Sequence, residues 1–166
     1  MSDSQKLIHQ YVSAAGLTEI DRWIAKYPAT EKKSAVMRAL MVVQEEQGYL
    51  TEDAMQAVAE YLEMPAIAVY QVASFYTMYE KKPVGRHVVS VCTNISCKLR
   101  QSDKIVKALE EKMGVALGET TEDGRFTLRA VECLGACVNA PMMQIDKAYH
   151  EHLTPEQLDE ILAQYE

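Results

Sequence analysis

The chain is 166 residues long, 48% hydrophobic and 25% charged, with 17 basic and 24 acidic residues and a formal net charge of −7. That length makes one ordinary domain or two small ones, and the composition belongs to a folded globular protein rather than a disordered one. The acid excess is spread over both halves, so no basic arm invites nucleic acid or an anionic membrane surface. No apolar run approaches the roughly 20 residues that span a bilayer. The opening residues 1–6 are polar and lack the charged-then-apolar order of a secretion signal, so a cytoplasmic, reducing address is expected. In that setting four cysteines more often bind metal or do redox work than form disulfides.

Up to about Tyr79 the periodicity predicts helices. Leu7, Ile8, Tyr11 and Val12 share one helical face. Gly16 is expected to interrupt, and Thr18 with Asp21 to open a second segment carrying Ile20, Trp23, Ile24 and Tyr27, stopped by Pro28. A third segment starts near Ser34, with Val36, Met37, Leu40, Met41 and Val43 at helical spacing and Gly48 as its C-terminal cap. Thr51 opens the next, with Glu52 and Asp53 in its first turn. Pro65 suits the first turn of one more, carrying Ile67, Val69, Val72, Phe75 and Tyr76. Trp23, Tyr27, Phe75 and Tyr76 are expected in the core. Residues 1–82 are read as a helical bundle.

Past Lys81-Lys82-Pro83-Val84-Gly85 the rhythm changes. His87-Val88-Val89-Ser90-Val91 reads as a buried strand. Ile105, Val106, Leu109 and Met113 mark a helix ended by Gly114. The turn at Thr121-Glu122-Asp123-Gly124 precedes an alternating strand over 126–131. Two short strands flank Asp146-Lys147, and Thr154-Pro155-Glu156 opens a last helix with Leu158, Ile161 and Leu162 inward. Residues 83–166 are read as a small α/β layer, and the whole chain as α+β.

Cys92 and Cys97 are separated by four residues, Cys133 and Cys137 by three. Each pair begins where a predicted strand ends. If those strands are parallel neighbours joined by the intervening helix, both loops leave the same sheet edge and four thiolates converge. A [2Fe–2S] cluster takes four thiolates, two per iron. Its negative charge needs backbone N–H groups and small residues, which Thr93-Asn94-Ile95-Ser96 and Leu134-Gly135-Ala136 supply. Gly135 allows positive φ, and Leu134 is placed to shield a cluster from water. Spacing alone leaves structural zinc and disulfides as alternatives, although zinc knuckles are usually tighter.

The local sequences add to this. Val131-Glu132-Cys133-Leu134-Gly135-Ala136-Cys137-Val138-Asn139-Ala140-Pro141-Met142-Met143 resembles the second cluster loop of the 24-kDa subunit family of respiratory NADH:quinone oxidoreductase (complex I). Pro83 to Val89 leading into Cys92 and Cys97 looks like the first loop of that family. Val72-Ala73-Ser74-Phe75-Tyr76 resembles its helix before the linker, and Asp123-Gly124-Arg125-Phe126-Thr127-Leu128 its second strand. The resemblance implies a helical bundle followed by a thioredoxin-like ferredoxin domain, with one [2Fe–2S] cluster on Cys92, Cys97, Cys133 and Cys137. It implies a place beside the FMN of a partner flavoprotein subunit that oxidises NADH, among further iron–sulfur subunits in a peripheral arm on the cytoplasmic side. There the cluster acts as a temporary store for one electron. FMN and NADH are expected on the partner, since the glycines here form neither G-x-G-x-x-G nor a phosphate loop.

The equivalent diaphorase subunit of an NAD-linked hydrogenase or formate dehydrogenase shares this chemistry. A zinc-binding adaptor built on the helical half is the alternative of a different class. The helical half is expected to dock the chain onto the flavoprotein. His87 reads as a strand-end surface histidine, and His150 and His152 as exposed. Lys98 and Arg100 read as solvated charges, and the nine methionines as adaptable packing. No Ser–His–Asp or paired-carboxylate pattern supports hydrolysis.

Overall fold

The computed structural model describes residues 7–165, so residues 1–6 with their polar opening, and residue 166, lie outside the described residues. The chain divides after Pro83 into two compact units.

The first unit contains α1 (Ala14–Ile24), a 3₁₀ segment (Ala29–Ala35), α2 (Val36–Gln47), α3 (Glu52–Tyr61) and α4 (Ala66–Phe75). The α1 start differs from expectation. Ser13 is its N-cap, accepting the Gly16 N–H at 3.1 Å, and the Glu46 carboxylate of α2 accepts the Ser13 N–H at 2.6 Å and its hydroxyl at 2.9 Å. Gly16 does not interrupt. It lies buried inside α1, where an added Cβ would meet the Glu46 carboxylate and come within 3.1 Å of Val42 Cγ1. Here glycine serves close helix approach rather than helix ending. Thr18 is interior too, its hydroxyl donating to the Ala14 carbonyl.

The other caps follow the sequence. Gly48, at φ +83°, ends α2, and its N–H donates to the Gln44 carbonyl. Thr51 Oγ1 accepts the Ala54 N–H to start α3. Pro65 takes the N-cap position of α4, just ahead of its first turn. Ile8, Ile20, Leu40, Leu50 and Leu62 are essentially fully buried together, each contributing roughly 1.5–3 kcal/mol by leaving water.

The aromatic residues depart from the expected core. Phe75 is 77% exposed and forms an edge-to-face pair with Tyr76, while Tyr27 also faces solvent and Trp23 only flanks the core. Val69 and Ala73 turn inward instead, leaving Ile67, Tyr70 and Phe75 outside. Because α4 is apolar around most of its circumference, its sequence has no polar stripe to say which face is buried.

The second unit holds β1 (His87–Cys92), α5 (Ile95–Leu99), α6 (Ser102–Met113), β2 (Phe126–Val131), β3 (Met143–Ile145), β4 (Ala148–His150) and α7 (Leu158–Leu162). The strand order is β2-β1-β3-β4. β1 and β2 are parallel, with Cys92 opposite Val131, and β3 is antiparallel to both β1 and β4. Val89, Val91, Leu128, Met143 and Ile145 pack beneath Ile105, Leu109 and Leu158. Side chains alternate along β1, so Ser90 and Cys92 face away from those helices. Gly85 precedes β1 where a Cβ would come within 2.8 Å of the Phe126 backbone, and its N–H donates to Thr127 Oγ1 at 2.7 Å.

Two histidines are less exposed than expected. His87 Nδ1 lies 2.7 Å from Asp146 Oδ2, and its ring packs edge-on to Tyr165. His150 is half-buried, with Nε2 2.7 Å from the Tyr165 hydroxyl, and burial pulls its pKa below the ordinary histidine value. The pairings that enclose them come from Tyr165 and Asp146, distant in sequence. Arg125 secures the same end by donating to the Leu162 and Tyr165 carbonyls. His152 is exposed, and Lys98 forms a solvent-exposed pair with Asp103 at 2.7 Å. Among the described residues no helix is long and apolar enough to cross a membrane.

Candidate metal centre

The parallel register of β1 and β2 decides where the cysteines go. Both strands end level, at Cys92 and Val131, and their outgoing loops are zipped together. The Thr93 N–H donates to the Val131 carbonyl at 3.0 Å, the Cys92 N–H to the Met142 carbonyl at 3.2 Å, and the Cys92 thiol to the Glu132 carbonyl at 3.5 Å. Cys97 returns toward Cys92 on the short helix α5, which Asn94 opens.

Cys92 and Cys97 are buried, in contact with Ala140, Met142, Leu134 and Ala136. The two sulfurs thus share one buried apolar cluster. Burial above all, with the neighbouring Cys92 sulfur, pushes the Cys97 thiol up to about 11, against an opposing pull from the Met142 backbone. A thiolate here is costly without a cation, and a bound metal reverses that balance.

Cys133 and Cys137 lie on the exposed second loop. Gly135 sits between them at φ +85°, and its N–H donates to Cys133 Sγ at 3.4 Å. All four cysteines are free of disulfides. The structure thus brings Cys92 and Cys97 together in one buried cluster, while Cys133 and Cys137 stay on the outer loop. Among the described residues, no three His, Cys, Asp or Glu side chains are drawn into metal-binding geometry.

The donor set fits a [2Fe–2S] cluster: four cysteine sulfurs on two adjoining loops, an apolar lining, and a backbone N–H already aimed at one sulfur. The outer loop is tethered by residues the sequence did not single out. The Tyr149 hydroxyl donates to the Leu134 carbonyl at 2.6 Å, Asn139 Nδ2 to Glu151 Oε2 at 2.7 Å, and the His152 and Leu153 N–H groups to the Asn139 and Pro141 carbonyls. Only the hairpin predicted around Asp146-Lys147 hinted that β4 returns beside the loop.

Comparison with known proteins places the site in a family. The family model for thioredoxin-like [2Fe-2S] ferredoxins matches residues 20–166. The NADH-quinone oxidoreductase E subunit of Rickettsia felis is 46% identical over 143 residues, covering 86% of each chain. The Rickettsia conorii protein of that name is 49% identical over 140 residues, covering 84% of each chain. The Rhizobium meliloti E subunit numbered 2 is 42% identical over 147 residues, covering 89% of this chain and 86% of its own. Among solved structures, a chain of an NAD+-reducing [NiFe]-hydrogenase in the air-oxidised state aligns with TM-score 0.66 and 17% identity. The alignment covers 76% of this chain and only 22% of the hydrogenase chain, a likeness of fold. With the match running through both cysteine loops, the chain belongs to the thioredoxin-like [2Fe-2S] ferredoxin family, among the E subunits of NADH-quinone oxidoreductase.

Proposed function

We propose that this chain is the electron-storing E subunit of an NADH-quinone oxidoreductase, with one [2Fe–2S] cluster held by Cys92, Cys97, Cys133 and Cys137. The observation that carries this reading is the level ending of parallel β1 and β2, which delivers both cysteine loops to one sheet edge. When bound, the cluster accepts and returns one electron at a time. The protein's part is to hold it and set its surroundings. Cys92 and Cys97 anchor the inner side, where Leu134, Ala136, Ala140 and Met142 exclude water. Cys133 and Cys137 hold the outer side, where electrons enter and leave. The Gly135 N–H offsets negative charge on the Cys133 sulfur.

The electron partner is the FMN-bearing, NADH-oxidising subunit, and FMN and NADH bind there rather than on this chain. The helical unit docks the chain onto that flavoprotein through Ile67, Tyr70, Phe75, Tyr76 and Met78, apolar residues left in solvent on α4 and the segment after it. The complex sits on the cytoplasmic side of its membrane, with further iron–sulfur subunits beyond the flavoprotein.

Metal and sulfide analysis of anaerobically purified protein tests the cofactor. The expected content is about two irons and about two acid-labile sulfides per chain, with a reducible visible spectrum. One zinc per chain and no sulfide would overturn the proposal in favour of a zinc adaptor.

A further inference from the structure

Tyr149 is on β4, opposite Gln144 of β3 and outside both cysteine loops. Its ring is about half exposed, yet its hydroxyl reaches the Leu134 carbonyl at 2.6 Å. Leu134 O and Gly135 N–H are the two ends of one planar peptide group. Fixing the carbonyl therefore fixes the direction of the N–H on the opposite side of that plane. That N–H is the one aimed at Cys133 Sγ, at 3.4 Å. Gly135, with φ +85°, lets the backbone take this orientation.

The residues around this peptide, 132–136, form neither helix nor strand, so no regular ladder holds it in place. A hydroxyl donated to a carbonyl also polarises the peptide and strengthens its N–H as a donor, by about 10–30% per bond in a chain. Orientation and polarisation act in the same direction on the sulfur.

We infer that Tyr149 is a positioning residue for the cluster: through the Leu134–Gly135 peptide it holds a hydrogen bond on the Cys133 sulfur and so raises the reduction potential. This rests on the proposal that Cys133 is a cluster ligand. A hydrogen bond to a ligand sulfur favours the form carrying more negative charge, which is the reduced one. Removing the tyrosine hydroxyl weakens that preference while leaving every sulfur in place.

The test is Tyr149→Phe in the full-length, cluster-loaded chain, which keeps the ring and removes only the hydroxyl. The expected result is wild-type iron and sulfide content, a lower midpoint potential in a spectroscopically monitored redox titration, and a shifted iron–thiolate stretching band in resonance Raman. A residue that merely packs the loop would leave potential and band unmoved, and that outcome overturns the inference. A second measurement avoids dependence on loading. In the metal-free full chain, the Gly135 amide should exchange its hydrogen severalfold faster in the Phe variant, and an unchanged rate also overturns the inference. Cys133→Ser separates the two levels. If it leaves the wild-type cluster spectrum intact, the ligand assignment fails, and this inference fails with it.

Discussion

Cys97→Ala abolishes cluster loading, with iron and acid-labile sulfide falling at least about tenfold, the scale of losing even an outer partner of a metal ligand. Cys97 is 1% exposed and packed beside Cys92, so no water stands ready to replace its sulfur. Cys97→Ser is expected to do nearly as badly, because a buried hydroxyl is a poorer ligand and costs about 1–3 kcal/mol if left unpaired. Cys133→Ser and Cys137→Ser should be milder. Their loop is exposed, so oxygen ligation is sterically open, and a perturbed cluster at reduced occupancy is the expected product. Iron and sulfide analysis with visible absorption checks the series, and circular dichroism confirms that each variant folds. Equal, full loading in the Cys97 variants would contradict the placement of the inner ligand.

Phe75→Glu is expected to leave the cluster untouched and to weaken binding to the proposed flavoprotein partner by roughly 30-fold or more, about 2 kcal/mol, the range of an aromatic interface anchor. The side chain is 77% exposed and pairs edge-to-face with Tyr76, and Ile67 on the same helix is 65% exposed. Large apolar side chains left in solvent on one helix are what the proposed docking role calls for. Because Phe75 contributes little to its own core, a charge there should not unfold the bundle. Isothermal calorimetry or co-purification reads the affinity, and iron content confirms that the second unit is unaffected. Unchanged affinity would remove α4 from the docking surface.

Much of the architecture was legible because particular residues carry local instructions. Thr51 and Gly48 mark helix ends through hydrogen bonds made within four residues of themselves. The strand predicted at 87–91 and that at 126–131 are present, and they pair in parallel, the condition under which both cysteine loops leave one sheet edge. Where the sequence misled, the deciding partner was remote. Gly16 looks like a stop until α2 is laid against it, and Ser13 looks like an ordinary polar residue until Glu46 approaches. His87 and His150 gain their shelter from Asp146 and Tyr165.

The candidate site divides in the same way. Cysteine spacing and the glycine at position 135 were readable, since they depend on the loop itself. The depth difference between Cys97 and Cys133 was not, because it depends on how Met142 and Ala140 close over one end. Nor was the tether from Tyr149 to Leu134, which spans fifteen residues and joins two elements of different kinds.

Electron paramagnetic resonance of the full-length protein, quantified against its iron content, tests the central claim most directly. Oxidised protein should be silent, and dithionite-reduced protein should show a mixed-valence signal of about one unpaired electron for every two irons. That signal should be lost in Cys97→Ala and altered in Cys133→Ser. A reduced protein with no such signal, or one whose signal survives unchanged in both variants, would contradict a cluster held by these cysteines.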